Sequence, residues 1–266
     1  MEKSCKRIRR EILTTIYKAQ SGHPGGSLSG VELLYVLYHK IAAFNPNNPL
    51  DDDRDRIIFS KGHASPLAYV ILSEFGFFPK SELEHFREFG ARLQGHVYTD
   101  VPGIELSTGS LGQGLSFACG IALAGQLKKK DYKIYCYLGD GELQEGNVWE
   151  AFMTAGSRDL KNICAIIDYN KVQENGFVKD IKTLDPLKDR LESFGWEVVE
   201  IEGHNIEEIQ CAYTKFLTRE TYKPFAIVAN TVKGKGVSFM EFNSAWHGKA
   251  PNNKELEMAL QELGEW

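Results

Sequence analysis

The stretch from Lys133 to Gly176 limits the possible folds more than any other part of the sequence. Ile134–Leu138 is an apolar, partly β-branched run, and Ile163–Ile167 is a second run of the same kind. Both are typical of buried strands, and a helix is predicted between them over Gln144–Arg158. The stretch therefore predicts a strand–helix–strand unit of the kind that builds a parallel sheet.

Polar oxygen donors follow both predicted strands. Asp140 stands between Gly139 and Gly141, Asn170 follows the second strand, and Val172 offers a backbone carbonyl. Ligands of parallel sheets bind beyond the carboxyl ends of the strands, and a few protein oxygens beside a phosphate suit Mg²⁺. The glycines would let the backbone turn sharply beside a phosphate. Alone, the Gly-Asp-Gly run is more typical of a tight turn, but Asn170 at the next strand end favours a metal and phosphate site.

Strands alternate with helices along the rest of the chain. This alternation predicts an α/β fold with a doubly wound, mostly parallel sheet and helices on both faces. No internal repeat or linker is apparent, so residues 1–266 are expected to form a single domain. The predicted helices are Lys3–Gln20, Gly30–Ala43, Pro79–Phe89, Leu184–Phe194, Asn205–Thr218 and one from Asn253, and the further strands are Arg56–Ser60, Trp196–Ile201 and Pro224–Thr231.

Composition excludes several classes of function. The net charge of −5 gives no broad basic surface for nucleic acid. No apolar run is long enough to cross a bilayer, and the charged N-terminus does not resemble a signal peptide. The five cysteines form no CxxC pair, which is typical of reduced thiols in a cytoplasmic protein.

Three loops each place a histidine beside glycine. They are Ser21–Gly26 with His23, Lys61–Ser65 with His63, and a long loop from Leu93 to Thr108 with His96. One such histidine is usually a surface residue, but three in similar settings favour a functional role. The other histidines at positions 39, 85 and 204 lie outside such loops and are predicted to be structural or surface residues.

A glycine-rich turn over Gly109–Gly114 opens an apolar helix that runs to about Leu127. Such a turn presents backbone N–H groups and the positive end of the helix dipole, which suits a diphosphate. The order of the glycines is not that of the dinucleotide-binding fingerprint. The spacing alone fits equally well a helix that packs closely through glycine and alanine.

Gly139-Asp140-Gly141 with Asn170 resembles the motif that binds thiamine diphosphate. The usual form ends in two asparagines, and Tyr169 replaces the first, but the metal-binding residue of the motif is the second. The run Gly139–Gly146 is most similar to transketolase, and the other motifs follow in that family's order over nearly the whole chain. The resemblance implies the thiamine diphosphate-binding fold and a diphosphate-binding domain.

The resemblance also implies roles for individual residues. Metal ligands for Mg²⁺, or for Ca²⁺ or Mn²⁺, would be Asp140, Asn170 and Val172. Catalytic residues would be His23, His63, His96, His247 and Glu145, the last near the aminopyrimidine ring at a subunit contact. Contacts to thiamine diphosphate would be Lys61, His63, Gly109, Ser110, Leu111, Gly139, Asp140, Gly141, Glu142, Asn170, Lys233 and His247.

The activity implied is transfer of a two-carbon ketol unit between sugar phosphates, as in the pentose phosphate pathway of carbohydrate metabolism. A full transketolase has a second domain that holds the aminopyrimidine and supplies the glutamate that activates it. The chain ends at residue 266, with no room for that domain. We therefore expect the N-terminal subunit of a split transketolase, active only with a C-terminal subunit that carries the pyrimidine domain, most simply as a heterotetramer.

Two alternatives stay open on the sequence alone. One is half of another thiamine diphosphate enzyme, such as the α subunit of a 2-oxoacid dehydrogenase or a deoxyxylulose phosphate synthase-like protein. The three histidine loops favour transketolase over it. The other is a non-catalytic, cofactor-binding subunit, which would not need substrate-facing histidines.

Overall fold

A five-stranded parallel sheet forms the centre of the computed structural model, which describes residues 1–265. A separate two-stranded antiparallel hairpin follows the third strand. The sheet order is β1 (Arg56–Phe59), β2 (Ile134–Gly139), β3 (Ile163–Tyr169), β7 (Phe225–Asn230) and β6 (Glu197–Glu202), and the hairpin consists of β4 (Val172–Gln173) and β5 (Gly176–Phe177).

Helices cover both faces of the sheet, which confirms the doubly wound fold. Alternate residues of β2 divide between the two cores: Tyr135 and Tyr137 face one, and Cys136 and Leu138 face the other. The first core includes α1 (Glu2–Ala19), α2 (Pro24–Ser29), α3 (Val31–Val36), α4 (Ser65–Glu74), α9 (Ile206–Thr218) and α10 (Asn253–Leu263), and the second includes α5 (Gln113–Lys128), α6 (Gly146–Ser157), α7 (Val178–Lys182) and α8 (Leu187–Ser193).

Three local predictions differ from the structure. The predicted loop Ser21–Gly26 ends early, because Pro24 already begins α2: proline is favoured in the first turn of a helix, and the whole helix is buried. The helix predicted over Pro79–Phe89 is only a 3₁₀ segment, Lys80–His85. The helix predicted over Gly30–Ala43 is α3 followed by a π-helical turn, Leu37–Ile41.

The carboxyl ends of all five sheet strands lie at one edge because the strands are parallel. The residues that follow β1, β2, β3 and β7 are therefore brought together although they are far apart in sequence. In the described chain, no helix is both long and apolar enough to span a bilayer.

Candidate active site

A cavity of about 200 Å³ opens at this edge of the sheet. Larger depressions lie elsewhere, but the one along α1, about 520 Å³, is lined by charged side chains such as Arg7, Lys18 and Lys80 that pair with neighbouring glutamates. The smaller cavity gathers most of the site residues predicted from the sequence. They are Lys61, His63, Leu111, Gly139, Asp140, Gly141, Glu142, Glu145, Asn170, Val172, Lys233 and His247.

Asp140 is buried at the base of the cavity, just after β2. Its carboxylate accepts hydrogen bonds from the backbone N–H groups of Gly141, at 2.7 Å, and Lys171. Burial and the nearby charge of Asp168 raise the pKa of Asp140 to about 6, and they outweigh the lowering effect of Lys61 and the backbone donors. An added cation would offset the cost of burying this charge, so the surroundings of Asp140 fit a bound metal ion.

Asn170 and Val172 line the same cavity as Asp140. The Asn170 Oδ1 atom accepts the Val172 N–H at 3.1 Å, which fixes the side chain against the turn after β3. The Val172 carbonyl accepts a hydrogen bond from the Lys233 ammonium at 3.0 Å, so this oxygen already faces a positive charge. A carboxylate, an amide oxygen and a carbonyl are the ligand types that Mg²⁺ prefers, and the donor set therefore fits the expected metal.

No group of three or more His, Cys, Asp or Glu side chains within residues 1–265 could hold a metal ion by itself. The expected set contains one carboxylate, so it needs oxygen ligands from a bound phosphate to complete the coordination. These residues therefore suit a metal that binds together with a diphosphate.

Asp168, at the end of β3, is a buried charge that the sequence analysis missed. Its Oδ2 atom accepts hydrogen bonds from the Lys61 ammonium at 2.8 Å, from the Ser29 hydroxyl at 2.7 Å and from the Tyr137 hydroxyl. Thr231 donates to the other oxygen. Burial would raise the pKa of Asp168, but the Lys61 charge and these donors outweigh it and lower the pKa. The ion pair fixes Lys61 beneath the cavity.

Glu142 is also buried, and it connects the glycine-rich turn to the sheet. Its carboxylate accepts from the N–H of Gly112 at 2.8 Å, the N–H of Gly139 at 3.1 Å and the Ser60 hydroxyl. Ser60 in turn accepts the Gly114 N–H at 3.1 Å. The expectation that this turn presents its N–H groups to a diphosphate is therefore wrong for Gly112 and Gly114, because protein side chains already bind them.

The turn residues Gly109, Ser110 and Leu111 do not all face the cavity. Leu111 lines the cavity, whereas Gly109 packs against the His96 ring so closely that an added Cβ would lie 2.9 Å from it. Gly109 has a φ of 156°, which favours glycine at this position. Ser110 is exposed and does not line the cavity.

Four histidines come together beside the cavity. The His23 ring centroid lies 5.3 Å from that of His63, 5.6 Å from His96 and 5.4 Å from His247. Three sequence loops and the segment after β7 supply them, as the sequence analysis expected for His23, His63 and His96. His247, which the resemblance implied as a further site residue, lies 5.2 Å from His63.

The surroundings of the four histidines favour the neutral imidazole. Burial lowers the pKa of His23 to about 4, and burial and the Lys233 charge lower that of His247 to about 3. The pKa of His63 is also lowered by burial, and that of His96 by burial and the Arg87 charge. The buried Nδ1 atom of His23 has no hydrogen-bond partner within the described chain. Neutral imidazoles of this kind can accept or donate a proton at a substrate hydroxyl.

Lys233 completes the charged wall of the cavity. Its ammonium donates to the carbonyls of Val172 and Gln173, at 3.0 and 3.3 Å, and lies 3.0 Å from His247 Nδ1. Burial, together with the charge of Lys61, lowers the pKa of Lys233 to about 8. The hydrogen-bond partners of Lys233 are carbonyls and an imidazole rather than a carboxylate, so its charge favours a bound anion.

Glu145 lies at the rim of the cavity, where it is exposed. Within the described part of the chain its side chain makes no hydrogen bond or ion pair. The resemblance implies that this glutamate is buried at a subunit contact, and its exposed position leaves it free to meet another chain.

These features define a class: an α/β domain with a polar cavity, lined by buried lysines and carboxylates, at the carboxyl edge of a parallel sheet. Residues 1–266 match the profile of the family described as the transketolase, thiamine diphosphate binding domain. The chain belongs to this family.

Relatives of similar length are subunits by name. The chain is 38% identical over 265 residues to a protein of Phocaeicola vulgatus that is named as one subunit of an apulose-4-phosphate transketolase, covering 100% of this chain and 94% of that protein. It is 42% identical over 257 residues to the 6-deoxy-6-sulfo-D-fructose transketolase subunit SqwG of a Clostridium species. This match covers 96% of this chain and 93% of that protein.

Single-chain transketolases are longer. The human enzyme is 35% identical over 264 residues, which cover 99% of this chain and 42% of the human protein. The crystal structure of transketolase from Campylobacter jejuni superimposes with a TM-score of 0.93 at 34% identity, over 99% of this chain and 42% of that one. The chain thus spans less than half the length of these relatives.

Proposed function

We propose that this chain is the N-terminal subunit of a transketolase-type transferase, a single diphosphate-binding domain that binds thiamine diphosphate and a divalent metal. With a C-terminal subunit it would transfer a two-carbon ketol unit between sugar phosphates. The cavity carries the proposal, because it gathers Asp140, Asn170 and the Val172 carbonyl with Lys61 and Lys233. The names of relatives matched over 93% or more of their own length support an enzyme built from two kinds of subunit.

Asp140, Asn170 and Val172 would hold Mg²⁺ on the diphosphate. The ammonium groups of Lys61 and Lys233 would offset the remaining diphosphate charge, since both are buried beside the cavity. When bound, thiamine diphosphate supplies the carbanion chemistry that no side chain offers.

The histidines would act on substrate hydroxyls. Burial lowers the pKa of His23, His63, His96 and His247, which favours neutral imidazoles that would exchange protons with substrate hydroxyls. Alanine variants of the first three should melt near wild type and lose activity by about 10²-fold or more. A variant that is unstable but catalytically normal would assign that histidine a structural role.

The partner would cover Glu145 and the rim of the cavity. Two copies of each kind of chain form the simplest closed assembly. The five cysteines are all unpaired, and this supports a reducing, cytoplasmic location.

The test mixes the purified chain with the C-terminal subunit, thiamine diphosphate and Mg²⁺. Donors would include xylulose 5-phosphate, apulose 4-phosphate and 6-deoxy-6-sulfofructose with ribose 5-phosphate as acceptor, and pyruvate in parallel. We expect ketol transfer from a sugar donor by the mixture and none by the chain alone. Turnover of pyruvate instead would favour another thiamine diphosphate enzyme. Cofactor binding without turnover would favour a non-catalytic role, and full activity of the isolated chain would refute the two-subunit proposal.

A further inference from the structure

The segment Asn230–Lys233 leaves the end of β7 and brings Lys233 to the cavity. The Asn230 carbonyl accepts the Gly203 N–H at 2.8 Å, and the Thr231 N–H donates to the carbonyl of Tyr169. These are backbone contacts between neighbouring strand ends. The Val232 N–H is held differently, because its acceptor is a side chain from the turn between β6 and α9.

That acceptor is Nε2 of His204, 2.9 Å from the Val232 nitrogen. A backbone N–H can only donate, so Nε2 must be the unprotonated nitrogen of the ring. The proton is then on Nδ1, which lies 2.9 Å from Oε2 of Glu32 and donates to it. His204 is therefore neutral and in one tautomer, with both nitrogens engaged.

Glu32 is buried and holds that tautomer in place. Its two oxygens accept from the two terminal nitrogens of Arg9, each at 2.6 Å, in a bidentate pair. Burial would raise the pKa of Glu32, but the Arg9 charge and the His204 hydrogen bond outweigh it and lower the pKa to about 2. The carboxylate is charged at neutral pH, so it always accepts the His204 proton.

The same arginine reaches the other wall of the cavity. Arg9 donates to the carbonyl of Leu28 in α2, at 3.1 Å. Two carbonyls in the first turn of α2 also accept hydrogen bonds. The Lys61 ammonium donates to the Gly26 carbonyl at 2.9 Å. The Gly234 N–H donates to the Gly25 carbonyl, also at 2.9 Å. One buried network thus connects the segments that place Lys61 and Lys233.

We propose that His204 is a positioning residue, which holds the Val232 N–H and thereby fixes the adjacent Lys233 at the cavity, where it would contact a diphosphate. The position of Lys233 follows from the contacts above, whereas its contact with the diphosphate rests on the proposed function. His204 does not line the cavity and touches no substrate, so its effect passes through the backbone of Val232.

Two variants separate this role from simple stabilisation. His204→Asn keeps a donor near the Nδ1 position for Glu32 but is too short to accept the Val232 N–H. His204→Gln places an acceptor near the Nε2 position but gives up the bond to Glu32. Each loses one buried hydrogen bond, so both should lower the melting temperature to a similar extent. His85→Asn is the matched control, because His85 is exposed and its ring Nδ1 pairs with the exposed Glu88.

The first readout uses the chain alone. Hydrogen exchange of the Val232 amide should be faster by about tenfold or more in His204→Asn, and within a few-fold of wild type in His204→Gln and His85→Asn. Acetylation of Lys233 by acetic anhydride, followed by mass spectrometry, should likewise be faster in His204→Asn than in His204→Gln or His85→Asn. Equal exchange and equal acetylation in the two His204 variants would overturn the proposal.

The second readout is calorimetric titration of the assembled enzyme with thiamine diphosphate and Mg²⁺. Affinity should fall by about tenfold in His204→Asn and much less in His204→Gln. Fast exchange with wild-type affinity in His204→Asn would support His204 as the residue that positions Lys233. It would also refute the proposed contact between Lys233 and the diphosphate.

Discussion

The buried ion pair between Lys61 and Asp168 offers a direct test of how the cavity is built. Lys61 is 2% exposed and Asp168 is fully buried, and the Lys61 ammonium lies 2.8 Å from Asp168 Oδ2. Removal of one partner leaves the other as an uncompensated buried charge. Such a change typically destabilises a protein by about 3–5 kcal/mol. We expect Lys61→Met and Asp168→Asn each to lower the free energy of unfolding by roughly that amount.

The double variant should be destabilised by clearly less than the sum of the two single changes. The hydroxyls of Ser29 and Tyr137 can still donate to the amide oxygen of the new asparagine, and the Thr231 hydroxyl can accept from its amide nitrogen. The pairwise coupling should therefore be about 1–3 kcal/mol.

Urea unfolding without cofactor, followed by circular dichroism, measures the free energy of unfolding of the wild type, the two single variants and the double variant. Lys233→Met is the control, since Lys233 donates to carbonyls and lies beside a neutral histidine rather than a carboxylate. It should destabilise by clearly less than Lys61→Met. Additive effects of the two changes, or an equal effect of Lys233→Met, would refute the assignment of Asp168 as the charge partner of Lys61.

Further predictions concern pH, packing and metal binding. Because the folded-state pKa of His23 is lowered to about 4, the unfolded chain binds more protons between pH 6.5 and 4. Stability should therefore fall as the pH drops through this range, and His23→Gln, but not the exposed His85→Gln, should reduce the slope in urea unfolding. Gly30→Ala should destabilise the chain by about 2 kcal/mol or more, because its Cβ would lie 2.0 Å from a buried tyrosine hydroxyl, whereas Gly120→Ala meets nothing and should stabilise α5 by up to about 1 kcal/mol. Equal unfolding midpoints would contradict the packing argument. Asp140→Ala should abolish Mg²⁺-dependent binding of thiamine diphosphate in calorimetry of the assembled enzyme, and wild-type affinity would contradict the metal site.

The sequence by itself determined the fold class and the positions where ligands collect. The apolar runs at Ile134–Leu138 and Ile163–Ile167 form β2 and β3 as predicted, because their hydrophobic pattern is local. Since parallel strands share one carboxyl edge, the proximity of Asp140 and Asn170 followed from that pattern. Gly-rich loops likewise indicated three of the four clustered histidines.

Only the tertiary structure decided which polar groups are already bound within the chain. Asp168 directly follows an apolar run in the sequence, and nothing local shows that it binds Lys61, a residue more than a hundred positions away. In the same way, the N–H groups of Gly112 and Gly114 look available until Glu142 and Ser60 are seen to bind them. Such contacts join strand ends that are distant in sequence, and burial makes each of them necessary because an unpaired buried charge or N–H group is unfavourable.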